Sequence, residues 1–404
     1  MMTMFNRQRL ADLPFVTKIT TALFFIVFFS ISPNYISIIY PEFKLVIVGL
    51  AGLFIFFLAF QARRVLKNSG AVYLFCFYLV VLVTAILNYL RLGNFEGLSF
   101  AISLFVKFSI IYLFLMSINE GYILKTLKIL IAVMTLICIH SLLGELFYII
   151  RIVSVTRNLE FQTYLYNIIS IWGVFTISFN FNGLEIIRNQ SFFQEPGFYA
   201  FYIFVAMIVL SLIRQVYSRR TFLIIYCLFF VTILSTLSVT GIILSAILTL
   251  LIFRNLIFGS ITLFSSIIFL AYIMVSDNPY INKISSLAER IYGITNGLNI
   301  FSADAFTFLI GAGYESESIF SFDGKFNNFL LETILYSGVL NLLLLALFFY
   351  YIIKNCYGAR FKYFLVLIFC ATTPLFWSAI MIILNVVLLR YTSFKAIKLA
   401  ENDK

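Results

Sequence analysis

Charged residues are scarce in this sequence: only 11% of its 404 residues are Asp, Glu, Lys or Arg, whereas soluble globular domains average about 25%. Hydrophobic residues make up 62%, and the mean hydropathy is +1.05. A chain of this size with so little polar surface cannot cover a shell that faces water. The composition therefore excludes a soluble enzyme, a disordered protein and a nucleic-acid-binding protein.

Histidine and cysteine are also rare, with one and five residues. The cysteines lie in or beside apolar runs, and none has the spacing of a metal site or a disulfide framework. His140 is the single histidine, and one histidine makes a metal site improbable. No P-loop, dinucleotide-binding fingerprint or nucleophile–histidine–acid pattern is present. We therefore expect neither a metal nor a cofactor.

Long apolar runs are abundant. A transmembrane helix needs about 20 residues, and these runs have that length. They do not resemble the short alternating strands of a membrane barrel. The predicted fold is an all-α polytopic membrane protein, a single membrane domain over 1–404 with about 12 transmembrane helices. The last apolar stretch would form a helix of about 44 Å, too long for one span, so a hairpin broken near Pro374 is predicted. The predicted spans are 15–34, 43–60, 71–90, 99–118, 126–150, 197–213, 221–238, 241–253, 255–275, 329–353 and the hairpin 361–389.

Basic residues are unevenly distributed over the connections between these spans, which explains the net charge of +11 better than a nucleic-acid partner does. With both termini cytoplasmic, 19 of the 28 Lys and Arg residues fall on the cytoplasmic side and eight on the other. The excess is largest in short connections, where the positive-inside rule applies. The cytoplasmic connections leave no room for a site, so a functional site is predicted on the external side.

Two external connections are long, 151–196 and 276–328. The first contains the uncharged segment 161–179, which we predict to lie in the membrane interface, where aromatic residues are enriched. Its Tyr164, Tyr166 and Trp172 fit that location. An additional span there would place the basic connection after 213 on the external side, against the charge rule.

The first candidate site is Arg188-Asn-Gln-Ser-Phe-Phe-Gln-Glu195-Pro196-Gly197, which leads into the span 197–213. Pro suits the first turn of a helix, and an acidic residue before it favours the helix N-terminus, so Glu195 as a simple cap explains the pattern. The same geometry offers free N–H groups to an anion. Arg188 would add a bidentate contact to a phosphate.

The second candidate is an amphipathic helix over 283–298, with apolar residues at a spacing of three and four and with Lys283 and Arg290 beside the apolar stripe. These cations either extend to lipid headgroups or contact a ligand. The third candidate is Gly311-Ala-Gly313 followed by Asn327-Asn328 before the span 329–353. A flexible turn and helix capping explain it equally well.

Within the membrane, Lys107 is costly unless paired or hydrated, and Glu145 and Glu332 are further charges in predicted spans. A transporter or a flippase for lipid-linked sugars would centre on these charges. Carriers of that kind bind their substrate near the midplane and show related halves. The sequence has no internal repeat of the kind that carriers show. The transporter alternative also leaves the two long external loops unexplained.

Three short elements in order resemble the O-antigen and exopolysaccharide polymerase family (Wzy-like), which is related to the O-antigen ligases. Phe193-Gln-Glu195-Pro196-Gly-Phe198 after Arg188 is similar to the family's Arg-then-Glu-Pro element. Leu309-Ile-Gly311-Ala-Gly313 with Asn327-Asn328 is similar to its Gly-x-Gly element, and Ser235-Thr-Leu-Ser238-Val-Thr240-Gly241 to its Ser-rich break. The ligases typically carry a histidine before the Asn element, and Lys325-Phe326 stand there in this chain. This difference favours the polymerase over the ligase.

The resemblance implies a metal-independent glycosyltransferase in the bacterial inner membrane, with its active site in two large periplasmic loops. Its substrates would be undecaprenyl-pyrophosphate-linked oligosaccharide units, its surroundings membrane lipids, and a further candidate partner a chain-length regulator protein. Arginines stabilise a leaving pyrophosphate where no metal does so. The implied catalytic residues are Glu195, Arg188 and Arg290, and the implied substrate-binding residues are Arg157, Lys283, Asn327, Asn328 and Tyr199.

Overall fold

The computed structural model describes ten helices, a short 3-10 turn and a four-stranded sheet. The described residues are 21, 49, 69–93, 95–118, 120–152, 155–161, 164–169, 174–181, 184–191, 193, 195–253, 305–311, 329–356, 359–372 and 377–402. Apart from residues 21 and 49, the predicted spans 15–34, 43–60 and 255–275 therefore lie outside the described residues, as does most of the loop 276–328.

The helices follow the predicted spans closely over the described part of the chain. They are α1 Ser69–Leu92, α2 Phe95–Ser117, α3 Glu120–Ile149, α4 Pro196–Leu212, α5 Arg219–Ser235, α6 Val239–Ile252, α7 Ala305–Ile310, α8 Phe329–Asn355, α9 Arg360–Thr372 and α10 Ala379–Asn402. Four of them contain stretches long and apolar enough to cross a membrane, Gly70–Arg91, Gly97–Met116, Tyr122–Ile149 and Thr333–Asn355. The chain is thus a membrane-embedded helical protein.

The apolar stretches of α4, α6 and α10 are shorter: Pro196–Leu212, Val239–Ile252 and Ala379–Arg390. With 17 residues, α4 is about 26 Å long, close to the hydrocarbon thickness of about 30 Å. Two helices separated between 372 and 379 occupy the stretch 361–389, where a break was predicted. Because α9 has 13 residues, its length of about 20 Å is less than that thickness.

Local sequence explains where α5 and α6 begin. Ser218 precedes α5, and its hydroxyl accepts the N–H of Thr221 at 3.1 Å. Ser238 precedes α6, and its hydroxyl accepts the N–H of Gly241 at 3.4 Å. Serine is among the favoured N-cap residues because this bond satisfies a donor that has no partner inside the helix.

The described chain is mostly helical, as predicted, but the segment between α3 and α4 is not. It forms an antiparallel sheet in the order β1-β2-β3-β4, with strands at Val155–Phe161, Tyr164–Ile169, Val174–Phe181 and Leu184–Ser191. Polar Thr176, Ser178 and Asn180 alternate with apolar residues along β3, which is the period of a strand. This part of the loop 151–196 is therefore a β-sheet, and the described part of 161–179 consists of strands.

The two ends of the helix bundle differ in composition. One end of the bundle lies beside the sheet, where α3 and α5 end and α4 and α6 begin, and we call it the sheet end. At the opposite, basic end, the Arg390 guanidinium donates to the carbonyl of Ile118 at 2.8 Å, between α2 and α3. Nine described basic side chains lie towards the basic end: Lys125, Lys128, Arg214, Arg219, Arg220, Lys354, Arg360, Lys362 and Arg390. Three lie at the sheet end: Arg91, Arg151 and Arg188.

Candidate functional site

Arg188 lies near the end of β4, where the sheet meets the helices. Its Nε donates a hydrogen bond to the carbonyl of Thr236 at 3.1 Å. Thr236 is the C-cap of α5, so it belongs to the Ser-rich break between α5 and α6. The bond joins two of the three elements on which the family resemblance depends. It also holds the half-buried guanidinium at the sheet end of the bundle.

Asn189, the next residue, links the same strand to two helices. Its Nδ2 donates to the hydroxyls of Ser141 on α3, at 3.3 Å, and Ser235 on α5, at 3.1 Å. Its Oδ1 accepts the N–H of Ser191 at 3.0 Å. The side chain is fully buried, so these bonds replace the water that the amide would otherwise bind. Asn189 therefore positions the backbone that carries Arg188.

Tyr199 extends this hydrogen-bond network to α4. Its hydroxyl lies 2.7 Å from the hydroxyl of Ser141, and its ring stacks on Phe193 with 5.3 Å between centroids. Tyr199 is fully buried. In this position it supports Ser141 and the fold of the site, and its hydroxyl is already engaged.

Glu145 joins the network from α3. It is 9% exposed, and its carboxyl group interacts with the side chains of Ser235 and Asn189. On sequence grounds Glu145 belonged to the set of intramembrane charges that a transporter would use. The structure places it with Arg188 and Asn189 at the sheet end, which periodicity within α3 alone does not reveal.

Gln190 is the residue at this site that the sequence interpretation missed. It is fully buried, and neither atom of its amide group has a hydrogen-bond partner among the described residues. Leaving such a group unpaired costs about 1–3 kcal/mol, and buried polar side chains without a partner are rare.

Glu195 lies at the exposed start of α4. Its carbonyl accepts the N–H groups of Phe198 at 3.1 Å and Tyr199 at 3.2 Å, while its side chain makes no capping hydrogen bond. Pro196 follows in the first turn, as predicted from its missing N–H. Glu195 is thus the N-cap residue of α4, and its position there does not depend on a side-chain hydrogen bond.

The glycine element forms a separate close contact between α7 and α8. Gly311 has φ +88, and its carbonyl accepts Nδ2 of Asn88 on α1 at 3.3 Å. A Cβ on Gly311 would lie 2.5 Å from the backbone nitrogen of Ser337. Gly338 interrupts α8 with φ 77 and ψ 175. Both glycines are needed because two backbones touch here.

The remaining predicted site residues are only partly located. Arg157 pairs with Ile168 between β1 and β2, in the same sheet as Arg188. Lys283, Arg290, Asn327 and Asn328 lie outside the described residues. Within the described part of the chain, no three His, Cys, Asp or Glu residues are grouped as metal ligands.

The described site is thus a polar network of Asn189, Ser141, Ser235, Tyr199 and Glu145 at the sheet end. Arg188 bonds to the carbonyl of Thr236 beside this network, the unpaired amide of Gln190 follows in the same strand, and Glu195 is exposed at the start of α4. Arg188 can stabilise a developing anion, and the carboxylate of Glu195 can accept a proton. No family model matches the chain, and no curated protein and no solved structure matches it either.

Proposed function

We propose that the protein is a membrane glycosyltransferase that polymerises polyprenyl-pyrophosphate-linked oligosaccharide units, an O-antigen or related polysaccharide polymerase of the bacterial inner membrane. The observation that carries the proposal is the hydrogen bond from Arg188 to Thr236. It brings the Arg-then-Glu-Pro element and the Ser-rich break, which lie 48 residues apart, into one site. Two elements can share a catalytic role only if they lie close together in the fold, as these two do.

The charge distribution supports an external location for this site. The positive-inside rule places the basic end of the bundle in the cytoplasm. Because α4 is about 26 Å long, the sheet end then lies near the opposite membrane surface, with Arg188 and Glu195 facing the periplasm. A lipid-linked donor anchored in the outer leaflet reaches that level.

The proposed reaction is a displacement at the anomeric carbon of the donor glycan. The acceptor hydroxyl forms the new glycosidic bond while the bond from the anomeric carbon to the pyrophosphate oxygen breaks. The acceptor proton passes to Glu195, and the electron pair leaves with the polyprenyl pyrophosphate. Arg188 stabilises the charge on that leaving group.

The other residues implied by the family resemblance have supporting roles in this proposal. Arg290 is a second cation for the pyrophosphate, and Lys283 and Arg157 add positive charge around it. Asn327, Asn328 and the unpaired amide of Gln190 bind sugar hydroxyls. Tyr199 holds Ser141 and so acts on the substrate indirectly.

The proposal is tested in cells that lack the protein and carry plasmid-borne variants. Arg188→Ala abolishes the ladder of long polysaccharide on a gel and leaves core with a single repeat, since charge stabilisation of the leaving group is lost. Arg188→Lys restores little because lysine lacks the bidentate geometry. Arg151→Ala, at an exposed arginine of the same end, keeps the ladder.

A normal ladder from Arg188→Ala, at wild-type protein level, contradicts the proposal. In cells without the protein, two other outcomes would replace the polymerase by a different function. Bare core with accumulated long lipid-linked polymer indicates a ligase. Single lipid-linked units retained on the cytoplasmic face indicate a flippase.

A further inference from the structure

A cavity lies at the basic end of the bundle, on the opposite side from Arg188. Its volume is about 460 Å³, and it is formed where α4 ends and α5 begins. It is open to the surface and is lined by Ser211, Leu212, Arg214, Gln215, Tyr217, Arg219 and Phe222. A cavity of this size accommodates a small polar group, such as a phosphate with its attached glycerol.

Positive charge is concentrated around this cavity. Arg214 and Arg219 line it, and Lys362 on α9 is close enough to Arg214 for their charges to repel each other. Within the described part of the chain, these three side chains form no ion pair with a carboxylate. Uncompensated like charges at one place are stabilised when an anion binds between them.

The local structure orients these groups for an anion. The guanidinium of Arg214 lies over the ring of Phe222, 5.1 Å from its centroid, which restricts its position. The N-terminus of α5 adds positive potential at Arg219. The phenol of Tyr217 lines the cavity and, protonated at neutral pH as tyrosines ordinarily are, can donate a hydrogen bond.

We propose that this cavity binds a phosphate-bearing anion, with the headgroup of an anionic phospholipid as its source. The position supports a lipid: α5 leads from the cavity into an apolar helix on which Ile224 and Val231 are exposed, so acyl chains can lie along it while the phosphate contacts Arg214 and Arg219. This site is separate from the proposed catalytic site and does not depend on it.

The test uses the full-length protein in detergent. Dioleoylphosphatidylglycerol, dioleoylphosphatidylcholine and inorganic phosphate are titrated separately, and the thermal unfolding midpoint is recorded. We expect the anionic lipid to raise the midpoint in a saturable manner and the zwitterionic lipid to have no such effect. Bound ligand stabilises the folded state by mass action.

Two neighbouring arginines provide a matched pair of variants. Arg219→Gln weakens the apparent affinity about tenfold or more, as expected for a lost charge-assisted bond. Arg220→Gln makes the same charge change in the same helical turn, but Arg220 does not line the cavity. We expect its affinity to stay within about twofold of the wild type, because a screened surface charge contributes little.

Each outcome decides the proposal. Saturable stabilisation by inorganic phosphate alone, lost in Arg219→Gln, supports the phosphate site and replaces the lipid by a free anion. No stabilisation by either anion overturns the proposal. Equal loss of affinity in both variants also overturns it, because binding then reflects general surface charge and not this cavity. Polysaccharide synthesis does not enter the readout.

Discussion

At the scale of single residues, β4 ends in a short run in which each side chain has a different environment. Arg188 reaches the end of α5, Asn189 bonds to α3 and α5, and Gln190 has no described partner. The carboxyl group of Glu145 interacts with the middle one of these three residues, Asn189. Side chains next to each other in the sequence can differ in this way because successive residues of a strand point to opposite faces.

Gln190→Leu separates binding from folding. Removing an unpaired buried amide and keeping a similar volume is neutral or stabilising, by up to about 1–3 kcal/mol. We therefore expect an unchanged or higher thermal unfolding midpoint in detergent together with shortened polysaccharide on the gel. A lower midpoint with a normal ladder would show that the amide has a structural role. Asn355→Leu, at an exposed amide of the basic end that does not line the cavity, should leave the ladder unchanged.

Asn189→Ala should lower the unfolding midpoint. The change removes the acceptor of the buried Ser191 N–H, at a cost of about 1–3 kcal/mol, together with the two bonds that Asn189 donates to Ser141 and Ser235. Asn355→Ala is the control, because the side chain of Asn355 is exposed and bonds only to the carbonyl of Tyr351 at 2.8 Å. Surface substitutions of that kind stay within about 0.5 kcal/mol. Equal effects of the two changes would contradict the role assigned to Asn189.

At the scale of elements, the contact between α7 and α8 shows how two backbones are brought together. Asn88 on α1 binds the carbonyl of Gly311, just after α7, and the interruption of α8 at Gly338 faces the last turn of α7. The sequence shows both glycines, but hydropathy predicts a continuous helix over 329–353. The interruption is needed because α7 occupies the space that a regular α8 backbone with side chains would fill.

Gly338→Ala tests this contact. A Cβ at this position would contact the carbonyl of Leu309, and φ 77 with ψ 175 is a conformation that only glycine adopts readily. We expect a destabilisation of at least about 1–3 kcal/mol, measured as a lower unfolding midpoint. Gly197→Ala is the control, since nothing lies within 4 Å of its Cβ position and alanine is the better helix former by about 1 kcal/mol. Its midpoint should be unchanged or higher.

At the scale of the whole molecule, the two ends of the bundle have different roles in our proposals. The sheet end holds the polar network around Arg188, and the basic end holds the cavity at Arg214 and Arg219. α4 and α5 connect the two ends directly. A membrane between these ends would separate a catalytic site on one side from a lipid site on the other.

The orientation predicts which end is accessible from outside the cell. A membrane-impermeant maleimide should label Arg151→Cys in intact spheroplasts, above the level of the unsubstituted protein. Arg220→Cys should be labelled only after the membrane is opened. Both positions are exposed, so the difference reports the side of the membrane and not burial. The reverse pattern would exclude a periplasmic site at Arg188.

The sequence alone determined the membrane class, the helices at 71–90, 99–118 and 126–150, and the break within 361–389. It also contained a sign of the sheet that our prediction missed: the two residues between β3 and β4 are Asn182 and Gly183, a dipeptide typical of tight hairpins. Hydropathy, capping and turn preference act between residues close in the chain, so they can be found there.

Only the tertiary structure decided which polar residues meet. Tyr199 reaches Ser141 across 58 positions, Asn189 reaches Ser235 across 46, and Arg188 reaches Thr236 across 48. The same holds for the interruption at Gly338 and the cavity between α4 and α5. These contacts depend on how helices pack side by side, which no local pattern encodes, because packing is set by the shapes of surfaces that lie far apart in the sequence.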